Sequence, residues 1–166
     1  MRARGIAAVM GGAALLVAQA AAAQPAVQQL GADFWAWRGT TQPASSDDIP
    51  RIVRPAGWVP DWSPAGVAAQ RRQLAAFEAR WQALEAAPRT VAEKVDYRLV
   101  GSALARVHWE MDHVAAWRRQ PHFYTAQALN PVFEVLLPPP PVARPRLEEV
   151  IRLLANAPAI LAAGRA

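Results

Sequence analysis

The sequence predicts an all-α protein, an antiparallel helical hairpin or bundle that carries a long Pro/Trp-rich loop. Three observations predict it. Apolar residues recur at three- and four-residue spacing through most of the chain, prolines and capping residues fall between those stretches, and no stretch alternates apolar and polar residues as a strand would. At 166 residues with 53% apolar and 19% charged composition, the chain is long enough for one real core.

The first element is set aside from the fold. Met1-Arg2-Ala3-Arg4 is a basic start, Ile6 to Val17 is an apolar run, and Ala21-Ala22-Ala23 offers the small-x-small pattern of a signal peptidase site. This predicts a signal peptide over 1–23, cleaved near Ala23, and a periplasmic or secreted product. The run is too short for a retained membrane helix, and with no cysteine the chain has no lipoprotein anchor and no disulfide framework. Without Arg2 and Arg4 the charge is 16 basic against 13 acidic residues, or +3, and the basic residues are dispersed. That pattern argues against a nucleic-acid interface, which needs basic residues clustered on one face.

The rest divides into 24–62 and 63–166. Leu30, Phe34 and Trp37 predict a short helix ending near Arg38. Pro43, Pro50, Pro55 and Pro60 then impose a long loop, because each removes a backbone donor and restricts its predecessor. Ser63-Pro64 is an N-cap with proline at the first helical position, and Val67, Leu74, Phe77, Trp81 and Leu84 mark one face of a helix ending before Pro88. Thr90 and Glu93 form a capping box. Tyr97, Val100, Leu104, Val107, Met111 and Val114 carry the next helix, expected to run to Pro121 and to lie antiparallel to its predecessor. Phe123 to Leu137 predicts a helix interrupted at Asn130-Pro131, followed by a stiff spacer over Pro138 to Pro141. Leu147, Val150, Ile151 and Leu154 mark a helix from Arg146 to Asn156, with a last short one starting at Pro158.

Among polar clusters, His108, Glu110, Asp112 and His113 alone have metal-capable density. The two histidines are five apart, about 140° around a helix, so they do not share an ion as a pair four apart does. Glu110 and His113 match half of a di-iron E-x-x-H motif, whose remaining carboxylates are missing, so they are weak metal candidates beside a solvated or packing role. Trp35, Trp37, Trp58 and Trp62 flank the proline-rich loop and are candidate ligand-binding residues for sugar rings or extended peptide. The competing reading, which the sequence favours, is that they pin the loop to the helices. Ser45-Ser46-Asp47-Asp48 lacks the companions of a nucleophile or calcium site and reads as a turn or helix start. The proline run reads as a spacer rather than a docking motif.

Three blocks taken together resemble a bacterial family: Phe34-Trp35-Ala36-Trp37-Arg38; Gly57-Trp58-Val59-Pro60-Asp61-Trp62-Ser63-Pro64; and Val95-Asp96-Tyr97-Arg98-Leu99 continuing through Ala105-Arg106-Val107-His108-Trp109-Glu110 to Pro121-His122-Phe123-Tyr124. They are similar to the N-terminal part of the exported family catalogued as domain of unknown function 885, whose members are long helical, zinc-metallopeptidase-like chains with a later H-E-x-x-P-G-H motif. The resemblance implies that this chain is a truncated member, a partial domain of a larger helical fold that supports a catalytic cleft. Each of its three histidines is followed by a residue other than glutamate, so no catalytic position carries over. No cofactor is expected in this chain, and zinc is expected in a full-length parent. The expected partners are the remainder of that parent and a peptide substrate. The alternatives are a freestanding periplasmic module binding peptide or cell-wall glycan, and a purely structural helical domain.

Overall fold

The computed structural model describes residues 25–45, 52–85, 87 and 89–165; the expected signal peptide and most of the Ser45 to Asp48 turn lie outside these residues. The protein is all-helical. Its elements are α1 (Ala26–Thr41), α2 (Pro64–Ala83), α3 (Val91–His108), a π-helical turn (Trp109–Val114), α4 (Ala116–Arg119), α5 (His122–Leu136) and α6 (Arg144–Ala163), and no strand occurs among the described residues.

The first three long helices form a bundle whose directions follow from their side-chain bonds. Arg80 pairs with Asp33 at 2.6 Å and Trp37 donates to Gln73 at 2.8 Å, so α1 and α2 run antiparallel. Arg71 pairs with Asp112 while Trp81 donates to the Tyr97 carbonyl at 2.9 Å, so α2 and α3 are antiparallel too. The expected faces supply the core: Leu30, Phe34, Val67, Leu74, Val100, Leu104, Val107 and Met111 are buried together, with Trp37, Phe77, Trp81 and Leu84 packed against them. Fully burying one such aliphatic or aromatic side chain stabilises the fold by about 1.5–3 kcal/mol.

Two caps set the helix starts as expected. Ser63 Oγ accepts from the Gly66 amide at 3.1 Å, and Asp61 in turn accepts from Ser63 N and Oγ. At Thr90 both halves of the capping box are present, the Glu93 carboxylate accepting from Thr90 N at 2.7 Å and Thr90 Oγ1 from Glu93 N at 3.3 Å. The turn between α2 and α3 is closed by rings: Trp81 stacks on Tyr97 at 4.8 Å, and the Arg89 guanidinium lies 3.8 Å from the Tyr97 centroid. Gly101 is required where the helices approach, because a Cβ there would stand 2.6 Å from Trp81 Cζ2.

The second unit is the α5–α6 pair. Arg146, at the start of α6, donates to the carbonyls of Val135, Pro138 and Pro139, and Gly164, after α6, abuts the Tyr124 ring near the start of α5, so the pair is antiparallel. Trp62 meets Phe123 edge-on at 5.0 Å, and the Tyr124 hydroxyl donates to the Trp62 carbonyl at 3.0 Å, which joins the pair to the start of α2. Gln127, only 1% exposed, donates to and accepts from Ala44, and Arg152 donates to the Gly57 and Trp58 carbonyls. The Pro/Trp-rich loop is therefore held from below by α5 and α6.

Four expectations at element level are corrected. The first helix extends past Arg38 to Thr41. The helix expected to reach Pro121 changes to π geometry at Trp109 and stops at Ala115, whose φ of 44° and ψ of 47° are left-handed. Asn130-Pro131 is no restart: α5 is continuous, Pro131 is buried, and the Asn130 side chain donates to the Ala44 carbonyl instead of capping. Pro158 likewise lies inside a continuous α6. An interior proline costs about 3 kcal/mol, and core contacts at Ala128 in α5 and at Ala157, Ile160 and Ala163 in α6 offset it. The marked stripe of the last helix also turns outward: Leu147, Ile151 and Leu154 are exposed, and Leu153 and Ile160 take the buried places.

Candidate functional site

The π turn concentrates the polar chemistry of the molecule. A single turn of this wider helix inserts an extra residue and re-aims the side chains around it, a device frequent at functional sites. Here it carries Glu110, which faces α1. Arg38, 7% exposed, donates through Nη2 to Glu110 Oε2 at 2.8 Å, and Arg106 donates through Nε to Oε1 at 2.9 Å. One carboxylate thus bridges two guanidiniums, one from α1 and one from α3.

Two cavities flank this cluster, and Arg38, Gln42 and Arg106 line both. The larger, about 610 Å³, lies between α1, α3 and the Ile52-Val53 segment of the loop, with Phe34, Trp35 and Val107 in its walls. The smaller, about 150 Å³, is walled by Trp62, Met111, Trp117 and Phe123 and reaches Glu110. The larger falls in the 300–1,000 Å³ range of small-molecule sites, and it combines apolar walls with few polar groups as such sites do.

The four candidate tryptophans are not brought together. Trp35 is 60% exposed at the edge of the larger cavity, and Trp62 lies buried in the wall of the smaller one. Trp37 packs on Phe34 and Phe77 and donates to Gln73, while Trp58 donates to the Thr40 carbonyl at 2.8 Å beneath the Arg54 guanidinium. Trp37 and Trp58 tie segments together in this way, whereas Trp35 and Trp62 border space.

The metal candidates are also apart. Both Glu110 oxygens accept from arginines, Asp112 pairs with Arg71 and with His108 Nδ1 at 2.6 Å, and His113 is exposed, its carbonyl accepting from Arg119 at 2.6 Å. Among the described residues no three His, Asp or Glu side chains converge on a point a metal ion could occupy. A zinc ion at Glu110 would have to displace two guanidiniums. Among the described residues no helix is long and apolar enough to cross a membrane.

Sequence reasoning missed Arg38 and Arg106. Both sit four residues from another marker of their helix, Arg38 after Phe34 and Arg106 before Glu110, and the second spacing was available as an i,i+4 charge pair. The approach of Arg38 across 72 positions was not. No family model, curated protein or solved structure matches this chain.

Proposed function

We propose that this chain is the non-catalytic N-terminal helical region of an exported zinc-metallopeptidase-like protein, packing against further sequence and helping to wall its cleft. The observation that carries this reading is the apolar stripe on α5 and α6. Leu129, Phe133 and Leu136 on α5, with Leu147, Ile151, Leu154 and Leu161 on α6, follow helical spacing yet are each between 41% and 66% exposed. Contiguous apolar surface of this kind marks an interaction face, and the occupant proposed is the remainder of the parent chain. No His-Glu dipeptide occurs in the sequence, so the hydrolytic groups are assigned to that remainder.

Incubating the purified chain with zinc and a peptide library should give no hydrolysis; metal-dependent cleavage would overturn the proposal. An open reading frame running on from Ala166 into a His-Glu helix motif is the expected genomic finding, and a stop codon directly after Ala166 counts against it. The second reading, a freestanding module holding peptide or cell-wall glycan, is favoured by the exposure of Trp35 beside the larger cavity.

A further inference from the structure

The smaller cavity is bordered by an unpaired donor. Trp62 lines it and is only 6% exposed, yet its indole Nε1–H has no hydrogen-bond partner, and the nitrogen is not sealed from solvent. What remains accessible of this side chain therefore includes its one polar atom, on a residue that borders this cavity and not the larger one. Trp117, the second indole in the wall, donates to the Met111 carbonyl at 3.2 Å and is already satisfied. The rest of the wall is apolar: Phe123 meets Trp62 edge-on at 5.0 Å, and Met111 and Ala116 continue it. At about 150 Å³ the space matches a single aromatic ring, since an engineered apolar cavity of about that size takes up benzene. Glu110 lines the same cavity, and its two arginine bonds leave further acceptor sites on the carboxylate.

We propose that this cavity binds a phenolic ring, which lies against Trp62, Phe123 and Met111 with its oxygen accepting from Trp62 Nε1. An indole N–H only donates, so the ligand must bring an acceptor. The walls select the ring. Aromatic side chains contact a further ring favourably in offset or edge-on geometry, and a thioether sulfur adds a favourable contact at a ring edge. A hydroxyl suits the site better than an ether or a carbonyl, because it also carries a hydrogen for the Glu110 carboxylate. The anchoring donor belongs to a buried side chain held by packing, so it is in place before the ligand arrives, which lowers the ordering cost of binding. The inference does not depend on the chain being part of a larger enzyme.

Proton–nitrogen NMR of the full chain, titrated with phenol, with its near-isostere toluene and with N-acetyltyrosinamide, tests it. Trp62→Phe identifies the Trp62 indole resonance by its disappearance, and in the parent that resonance should shift saturably with phenol. The ratio of phenol to toluene affinity, read from the Met111 and Phe123 amide shifts, should fall at least about fivefold in Trp62→Phe, the loss of one hydrogen bond. The circular dichroism spectrum should be unchanged. Ala116→Leu, which fills the cavity from its wall, should abolish binding of phenol and toluene alike. A shift of the same resonance by N-acetyltyrosinamide would assign the ring to a tyrosine side chain of a peptide, and its failure beside phenol binding would assign it to a free phenol; both keep the proposal. Absence of a saturable shift at Trp62, an affinity ratio unchanged in Trp62→Phe, or phenol binding intact in Ala116→Leu would overturn it.

Discussion

Gln127 shows how a single side chain holds the irregular part of this molecule. Its amide accepts from Ala44 N at 2.7 Å and donates to Ala44 O at 3.2 Å, replacing the strand partner that the loop lacks. Replacing it with leucine keeps the volume but leaves the Ala44 N–H buried without an acceptor, a group that costs about 1–3 kcal/mol when unpaired. Gln127→Leu should therefore lower stability by about 2 kcal/mol in urea unfolding, whereas a loss below about 0.5 kcal/mol would show that Ala44 is held by other means. Nothing around position 127 announces this role in the sequence, because a glutamine on a helix reads as a solvated residue until the loop is placed over it. The aromatic residues are different: Phe34 was legible from its helical spacing and Trp62 from its size as a residue that could pin the loop, and only their partners awaited the fold.

At the scale of elements, the capping signals near α2 and α3 were complete in the sequence because they are local, made by residues two or three apart. The end of α3 was not. Ala115 carries no glycine or asparagine signal, yet it adopts left-handed backbone where an alanine Cβ costs about 1–2 kcal/mol relative to a right-handed residue. In an ordinary helix Ala→Gly destabilises by about 1 kcal/mol. At position 115 the sign should change: Ala115→Gly is expected to leave the melting temperature unchanged or raise it, since glycine relieves the backbone strain and offsets its extra unfolded-state entropy. A drop equivalent to a full 1 kcal/mol or more would mean that the helix passes through Ala115 without a break. The same reasoning explains Pro131 and Pro158. Proline is a strong local stop signal, and only packing between elements, invisible at this scale, overrides it.

Across the whole molecule, stability should depend on acidity through carboxylates that the fold holds ionised. Hydrogen bonds from Arg80 and then Gln29 lower the Asp33 pKa, the Thr90 backbone N–H and hydroxyl lower that of Glu93, and Arg152 lowers that of Glu149. A group with a lowered folded-state pKa contributes stability above its unfolded value, and that contribution is lost as pH falls through the folded value. The ordinary values are 3.8 for Asp33 and 4.5 for the glutamates, so loss should begin below about pH 4.5. Burial acts oppositely on Tyr124, raising its pKa from 10.0, so stability should also decline as pH climbs past that value. Melting temperatures measured across the range should be flat near neutrality and fall at both ends. In the triple variant D33N/E93Q/E149Q the acid limb should be shallower than in the parent; an identical acid limb would place the sensitivity elsewhere.

The amino-acid sequence by itself determined the helical class, the positions of most helices, the two capped starts and the apolar faces of α1, α2 and α3, because these follow from periodicity and from contacts a few residues apart. It also determined that no His-Glu motif is present. The tertiary structure decided what depends on distant segments meeting: that Arg38 and Arg106 share Glu110 across a π turn, that two prolines lie inside continuous helices, and that the stripe on α6 faces outward. Side-chain chemistry is written locally, but a cavity exists only between elements, and its charge is the sum of groups that the chain brings together on folding.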